Sequence, residues 1–237
     1  MNGIELALRM SYITNALHFC GPEESNEVFL NYVEGKKDEE KVCSCLKRFE
    51  GLYPYLSAIA KKHNKDFLDY DVVEAYWFGN SLLDAFTLED MKAVIEKLVS
   101  RGLPSSIAER CIHKLKPGMV PHHNFNVLHV GVGKVTGSVP TTLTNMDNCR
   151  TSVGTVLEVL PSNHLLVKAT TLKSENGKIV QVEDTKTATY LPDMLGSVKK
   201  NNLVALHWGF AAIILTRQQA EAIDSYTKRL LEVVAVV

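Results

Sequence analysis

The hydrophobic pattern changes period along the chain. Up to about residue 117, apolar positions recur at helical spacing. Leu88, Met91, Val94, Ile95 and Leu98 fall on one helical face, and Thr87 with Asp90 forms a capping box ahead of them. Gly102 and Pro104 supply the stop, since glycine takes the left-handed C-terminal position and proline cannot continue the ladder. Ser105 or Ser106 caps the next helix, which carries Ile107, Cys111, Ile112 and Leu115 as far as Pro117-Gly118. Upstream, Asp71 to Phe86 reads as a helix weakened at Gly79. Gly21-Pro22 ends a first helix running through Leu17, and Gly51 with Pro54 separates two more.

From Phe125 the pattern alternates. Phe125, Val127 and His129 interleave with Asn126, Leu128 and Val130, which predicts a strand ending in Gly131-Val132-Gly133. Gly137 to Asn148, rich in Thr, Ser, Asn and Pro, predicts a linker. Short strands follow over 154–160 and 164–171, with Pro161-Ser162-Asn163 as the turn. Asn176-Gly177 is a strong hairpin signal, because both residues tolerate the positive φ that such a turn requires. Lys178 to Glu183 returns, Ala188 to Leu191 adds a strand and Leu203 to His207 another. Thr216 with Gln219 then caps a last helix whose apolar stripe is Ala220, Ile223, Tyr226 and Leu230. The expected class is α+β: a mainly helical domain over 1–136 that ends in a strand, a linker over 137–148, and a small OB-like β-barrel with a C-terminal helix over 149–237.

Composition narrows the function classes. The chain has 237 residues, 46% hydrophobic and 22% charged, an ordinary globular balance. A net charge of -1 gives no basic footprint, so neither a nucleic acid nor a membrane surface is expected as partner. The start, Met1-Asn2-Gly3-Ile4-Glu5, lacks the layout of a secretory signal, and the apolar runs at Phe210–Leu215 and at the tail are too short to span a bilayer. The five cysteines form no framework, which favours a reducing compartment and a cytoplasmic location. No Gly-rich phosphate loop, Gly-x-Ser-x-Gly elbow, His-Glu-x-x-His or paired CxxC is present.

Candidate chemistry gathers in four places. Cys149 lies in a polar stretch, where Arg150 beside it would favour the thiolate; the plain alternative is an incidental surface thiol. His207, between Leu206 and Trp208, is either a metal-ligating imidazole or a core histidine satisfied by a backbone carbonyl. On a strand, His122, Asn124 and Asn126 would share one face and line a pocket, with His123 and His129 on the other; a capped strand entry is the alternative. Glu74, in Glu74-Ala75-Tyr76-Trp77-Phe78-Gly79-Asn80, is either the polar handle of a pocket wall or part of a core helix.

Residues 149–237 also resemble the HypC/HupF hydrogenase-maturation chaperones. Those proteins pair a cysteine before the first strand with a histidine in a Val-His-x-Gly-Phe-Ala segment and end in a helix. The matching text here is Cys149-Arg150-Thr151-Ser152-Val153-Gly154, then Leu206-His207-Trp208-Gly209-Phe210-Ala211, then Thr216-Arg217-Gln218-Gln219-Ala220. In the family the cysteine follows the initiator methionine, whereas here a helical stretch precedes it. The whole chain also looks like an uncharacterised prokaryotic family that carries such a barrel. The resemblance implies a non-enzymatic metal-centre assembly factor. In it Cys149 thiolate holds iron that carries cyanide and carbon monoxide ligands, and His207 sits beside the cysteine. It implies a maturation protein or the large subunit of a hydrogenase as partner. Two alternatives stay open: a metal-dependent enzyme whose interdomain pocket uses His122, His123, Glu74 and Cys149, with Asn124 and Trp208 as further pocket candidates, and a non-catalytic protein-binding module.

Overall fold

Local capping sets where the helices begin. In the computed structural model, which describes residues 1–234, they are α1 (Gly3–Ala16), α2 (Ser25–Val33), α3 (Glu39–Arg48), α4 (Tyr53–His63), α5 (Tyr70–Trp77), α6 (Leu88–Val99) and α7 (Ser105–His113). Thr87 and Asp90 make the expected reciprocal cap of α6, and Met91, Val94, Ile95 and Leu98 are buried. Leu88, at the first position of that helix, stays exposed. Helix α7 starts after Pro104 without a side-chain cap, so neither serine serves there.

Four stretches differ from the sequence expectation. The predicted helix over Asp71–Phe86 is broken: α5 stops at Trp77, Gly79 turns with φ 90°, and a 3₁₀ turn spans Ser81–Ala85. A Cβ at Gly79 would lie 2.1 Å from the Tyr226 ring, so glycine is required for both conformation and close packing. The predicted strand at 125–130 is helical, formed by the short α8 (His123–Phe125) and a π-helical turn over Asn126–Gly131. Alternation misleads here because Phe125, Val127, Leu128 and Val130 are all buried, on both supposed faces. Within the expected linker, Thr142 caps α9 (Leu143–Cys149). Ala188 and Thr189 end a long third strand and form no strand of their own.

The strands are β1 (Ser152–Leu160), β2 (His164–Glu175), β3 (Lys178–Thr189), β4 (Leu203–His207) and β5 (Phe210–Leu215). They close into a barrel in the order β1-β2-β3-β5-β4, with β1 paired to β4, which makes the OB-like architecture a structural fact. Asn176 and Gly177 turn β2 into β3 with φ of 50° and 73°, as their residue types predict. A short helix α10 (Pro192–Leu195) precedes β4, and α11 (Arg217–Val233) follows β5 behind the reciprocal Thr216–Gln219 cap. The last three residues of the expected C-terminal domain, 235–237, lie outside the described residues.

The β4–β5 hairpin is buried on both sides, which explains its continuous apolar sequence. Val204, Leu206 and Ala211 fill the barrel with Val156, Leu165 and Val167. Ala205, Phe210, Ala212 and Ile213 instead join the core of the helical part. His207 shares its strand face with Ala205, so the period-two pleat carries it out of the barrel and into the seam with the helices.

Candidate metal centre

Three side chains from three elements converge in that seam. Cys149 ends α9, His207 ends β4 and His123 opens α8, and their ligand atoms all lie within 4.8 Å of one another. Cys149 Sγ is 3.8 Å from His207 Nε2. His207 Nδ1 donates to the Met10 carbonyl at 3.0 Å, which fixes the tautomer and leaves the Nε2 lone pair facing the sulfur. His123 is more heavily engaged. Its Nε2 donates to the Cys149 carbonyl at 2.8 Å, and its Nδ1 lies 3.0 Å from the Tyr76 hydroxyl. That hydroxyl also reaches the Gly51 carbonyl at 2.7 Å, so its single proton serves two acceptors.

Burial sets the protonation states. Desolvation pushes the Cys149 thiol up to about 12, and the Trp208 indole N–H nearby, short of a formed hydrogen bond, pulls weakly the other way. Arg150 does not activate this thiol. Its guanidinium is buried, donates to Asp147 at 3.0 Å and to the Thr170 carbonyl at 2.8 Å, and is spent holding α9 against β2. Desolvation holds His207 down at about 4 and His123 well below the usual imidazole range. Near neutral pH the site is therefore a thiol and two neutral imidazoles.

A cavity of about 60 Å³ adjoins the three donors. It is lined by Ser11 of α1, Cys20, Tyr76, Trp77 and Trp208, and no charged side chain among the described residues lines it. Trp208 sits at φ 51° in the two-residue turn between β4 and β5, a left-handed conformation that costs a bulky residue energy. Its backbone N–H bonds to the Asn148 carbonyl at 2.6 Å and its ring packs on Phe19 at 4.5 Å. The turn is thereby tied to the end of α9, beside Cys149.

The sulfur and two imidazoles fit a soft or borderline transition metal. His207 is ready to coordinate as it stands, whereas His123 would first release one of its two hydrogen bonds.

The remaining sequence candidates are elsewhere. His122 and Asn124 do not share a strand face with Asn126. His122 caps α8, its Nδ1 accepting from the Asn124 N–H at 3.0 Å, and stacks on Tyr226 of α11. Asn124 is a clamp: its amide bonds to both the N–H and the carbonyl of Thr151 and to the Thr227 hydroxyl. Glu74 accepts from Asn80 and Gln219 on a different surface. Of that pocket set, His123 and Trp208 join Cys149 and His207 at the cavity. Tyr76 and Trp77, from the segment with a pocket-wall reading, line the cavity while Glu74 does not. Ser11 and the Met10 carbonyl carry no signal in the sequence, because only the packing of α1 against the barrel brings them here.

All 237 residues match the model of a family of unknown function, DUF6390. The chain belongs to that family. No curated protein and no solved structure matches it. With no function attached to the DUF6390 family, a functional reading starts from the geometry of the seam.

Proposed function

We propose that the protein is a metal-centre assembly factor that holds an iron fragment through the Cys149 thiolate, with His207 as the neighbouring nitrogen donor. The observation that carries this reading is the pair itself: Sγ and Nε2 stand 3.8 Å apart, and the other imidazole nitrogen is locked on a backbone carbonyl. Thiolate and imidazole suit low-spin iron, and a thiolate ligand can be displaced during transfer. The sequence resemblance to the HypC/HupF chaperones supports the same two residues. By that resemblance the fragment carries cyanide and carbon monoxide, the partners are a maturation protein or a hydrogenase large subunit, and the location is cytoplasmic.

Infrared spectroscopy with iron analysis tests it, on protein purified anaerobically after co-expression with hydrogenase-maturation proteins. Cyanide and carbonyl stretches with bound iron, both lost in Cys149→Ala, are the expected result. Clean spectra without iron would sink the carrier reading.

A second reading, a metal-dependent enzyme, draws on one observation: the cavity beside the three donors leaves room for a substrate of about two or three atoms at an open coordination position. It predicts turnover that His123→Ala and Cys149→Ala both abolish.

A further inference from the structure

Polar atoms around the cavity lack partners in a way that points to a ligand. Ser11 Oγ and the indole Nε1 of Trp77 are buried without a hydrogen bond, and both residues line the cavity. Ser11 is 1% exposed and Trp77 3%. Trp208 Nε1 is a third such atom, and its residue also lines the cavity. An unpaired buried donor costs about 1–3 kcal/mol, so two indoles and a hydroxyl around one small space are costly unless something accepts from them. An indole N–H can only donate, which makes the occupant an acceptor.

Charge and size narrow the class. Among the described residues no Lys, Arg, Asp or Glu lines the cavity, so a free anion would find no countercharge there. A metal at Cys149 and His207 supplies one. At about 60 Å³ the space suits a few waters or a two- or three-atom ion, not an organic metabolite.

We infer that the cavity seats small anionic ligands carried on the metal, their outer lone pairs held by the N–H groups of Trp77 and Trp208 and the hydroxyl of Ser11. This rests on the metal-site reading above. The balance is simple coordination: Cys149 releases its thiol proton to solvent as the sulfur–metal bond forms, the anion donates a lone pair to the metal, and no electron is transferred.

Cobalt(II) and azide separate the two claims. The chain has two tryptophans, Trp77 and Trp208, and both line this cavity, so indole emission reports on it alone. Anaerobic cobalt titration comes first and is read as a thiolate-to-cobalt charge-transfer band that Cys149→Ala abolishes. Azide is then added, with both the cobalt bands and the indole emission recorded. The expected result is azide binding in the wild type, weakened roughly tenfold in Ser11→Ala and again in Trp77→Phe, as a lost hydrogen bond requires. Cobalt affinity, measured in both variants, separates a lost anion contact from a lost metal. Cobalt binding without azide binding, or azide binding that neither variant weakens and that leaves the emission unmoved, would overturn the inference and leave the metal site standing. No charge-transfer band in the wild type would remove the metal site and this inference with it.

Discussion

At the scale of single residues, the proposed metal ligands His207 and Cys149 carry one proton that a bound metal must displace. His207 is held at about 4 and Cys149 at about 12, so the imidazole arrives neutral and the thiol arrives protonated. Binding one metal ion therefore displaces one proton, from sulfur. The apparent affinity for cobalt(II) should rise about tenfold per pH unit between roughly pH 6 and 9, and isothermal titration in buffers of different ionisation enthalpy should count one proton released. A flat profile would mean that the sulfur is not a ligand. Cys149 and His207 are visible in the sequence through their setting, and so is the Asn176-Gly177 turn, whose chemistry is local. The role of Arg150 is not. A neighbour in sequence is read as a neighbour of the thiol, yet the guanidinium turns away to Asp147.

Among the elements, α9 matters most because it delivers Cys149. Asp147 anchors its last turn: one carboxylate oxygen accepts from Arg150 and the Leu172 N–H, both at 3.0 Å, and the other from Lys186 at 2.7 Å. Asp147→Ala leaves the buried Arg150 charge without its partner. The expected cost is about 3–5 kcal/mol in urea unfolding, with cobalt affinity lowered because the cysteine loses its anchor. Loss of stability with an unchanged cobalt affinity would show that α9 is not what positions the sulfur. This helix lies in a stretch whose Thr, Ser, Asn and Pro content predicts a linker, although Thr142 is a good cap in plain view. The π-helical turn after His123 is likewise hidden. Its register follows from packing on every side, with Asn126 accepting from Tyr55 at 3.1 Å, and no two-residue alternation can report that. The histidines at 122 and 123 are legible as candidates, but which of them meets Cys149 depends on that turn.

For the molecule as a whole, burying neutral histidines makes stability fall with acid. His122 and His207 sit near 4 when folded against an ordinary 6.5, and burial holds His123 well below that ordinary value as well. Each takes up its proton in the unfolded chain first. The stability they confer is thus complete above about pH 6.5 and is lost as pH falls towards 4, on the order of 3 kcal/mol each for His122 and His207. Against a total of about 5–15 kcal/mol, that predicts a sharply lower urea midpoint at pH 5 than at pH 7.5. His122→Gln should flatten the profile, and an unchanged midpoint across that range would contradict the buried neutral state. The barrel and the closing helix follow from capping and turn signals spread along the chain. The seam between barrel and helices does not, because an apolar hairpin such as β4–β5 looks the same whether one of its faces is covered or both.

The bond from His123 Nε2 to the Cys149 carbonyl turns that seam into a competition. The nitrogen that fastens α8 to the end of α9 is one His123 could offer to a metal, and it cannot serve both. If His123 joins the coordination through Nε2, loading loosens the joint; if it stays on the carbonyl, loading leaves the joint closed. Hydrogen–deuterium exchange over residues 120–130 and 145–152, with and without cobalt, distinguishes the two. Faster exchange on loading would mean that a bound metal unlatches its own enclosure, a simple way for a buried site to open.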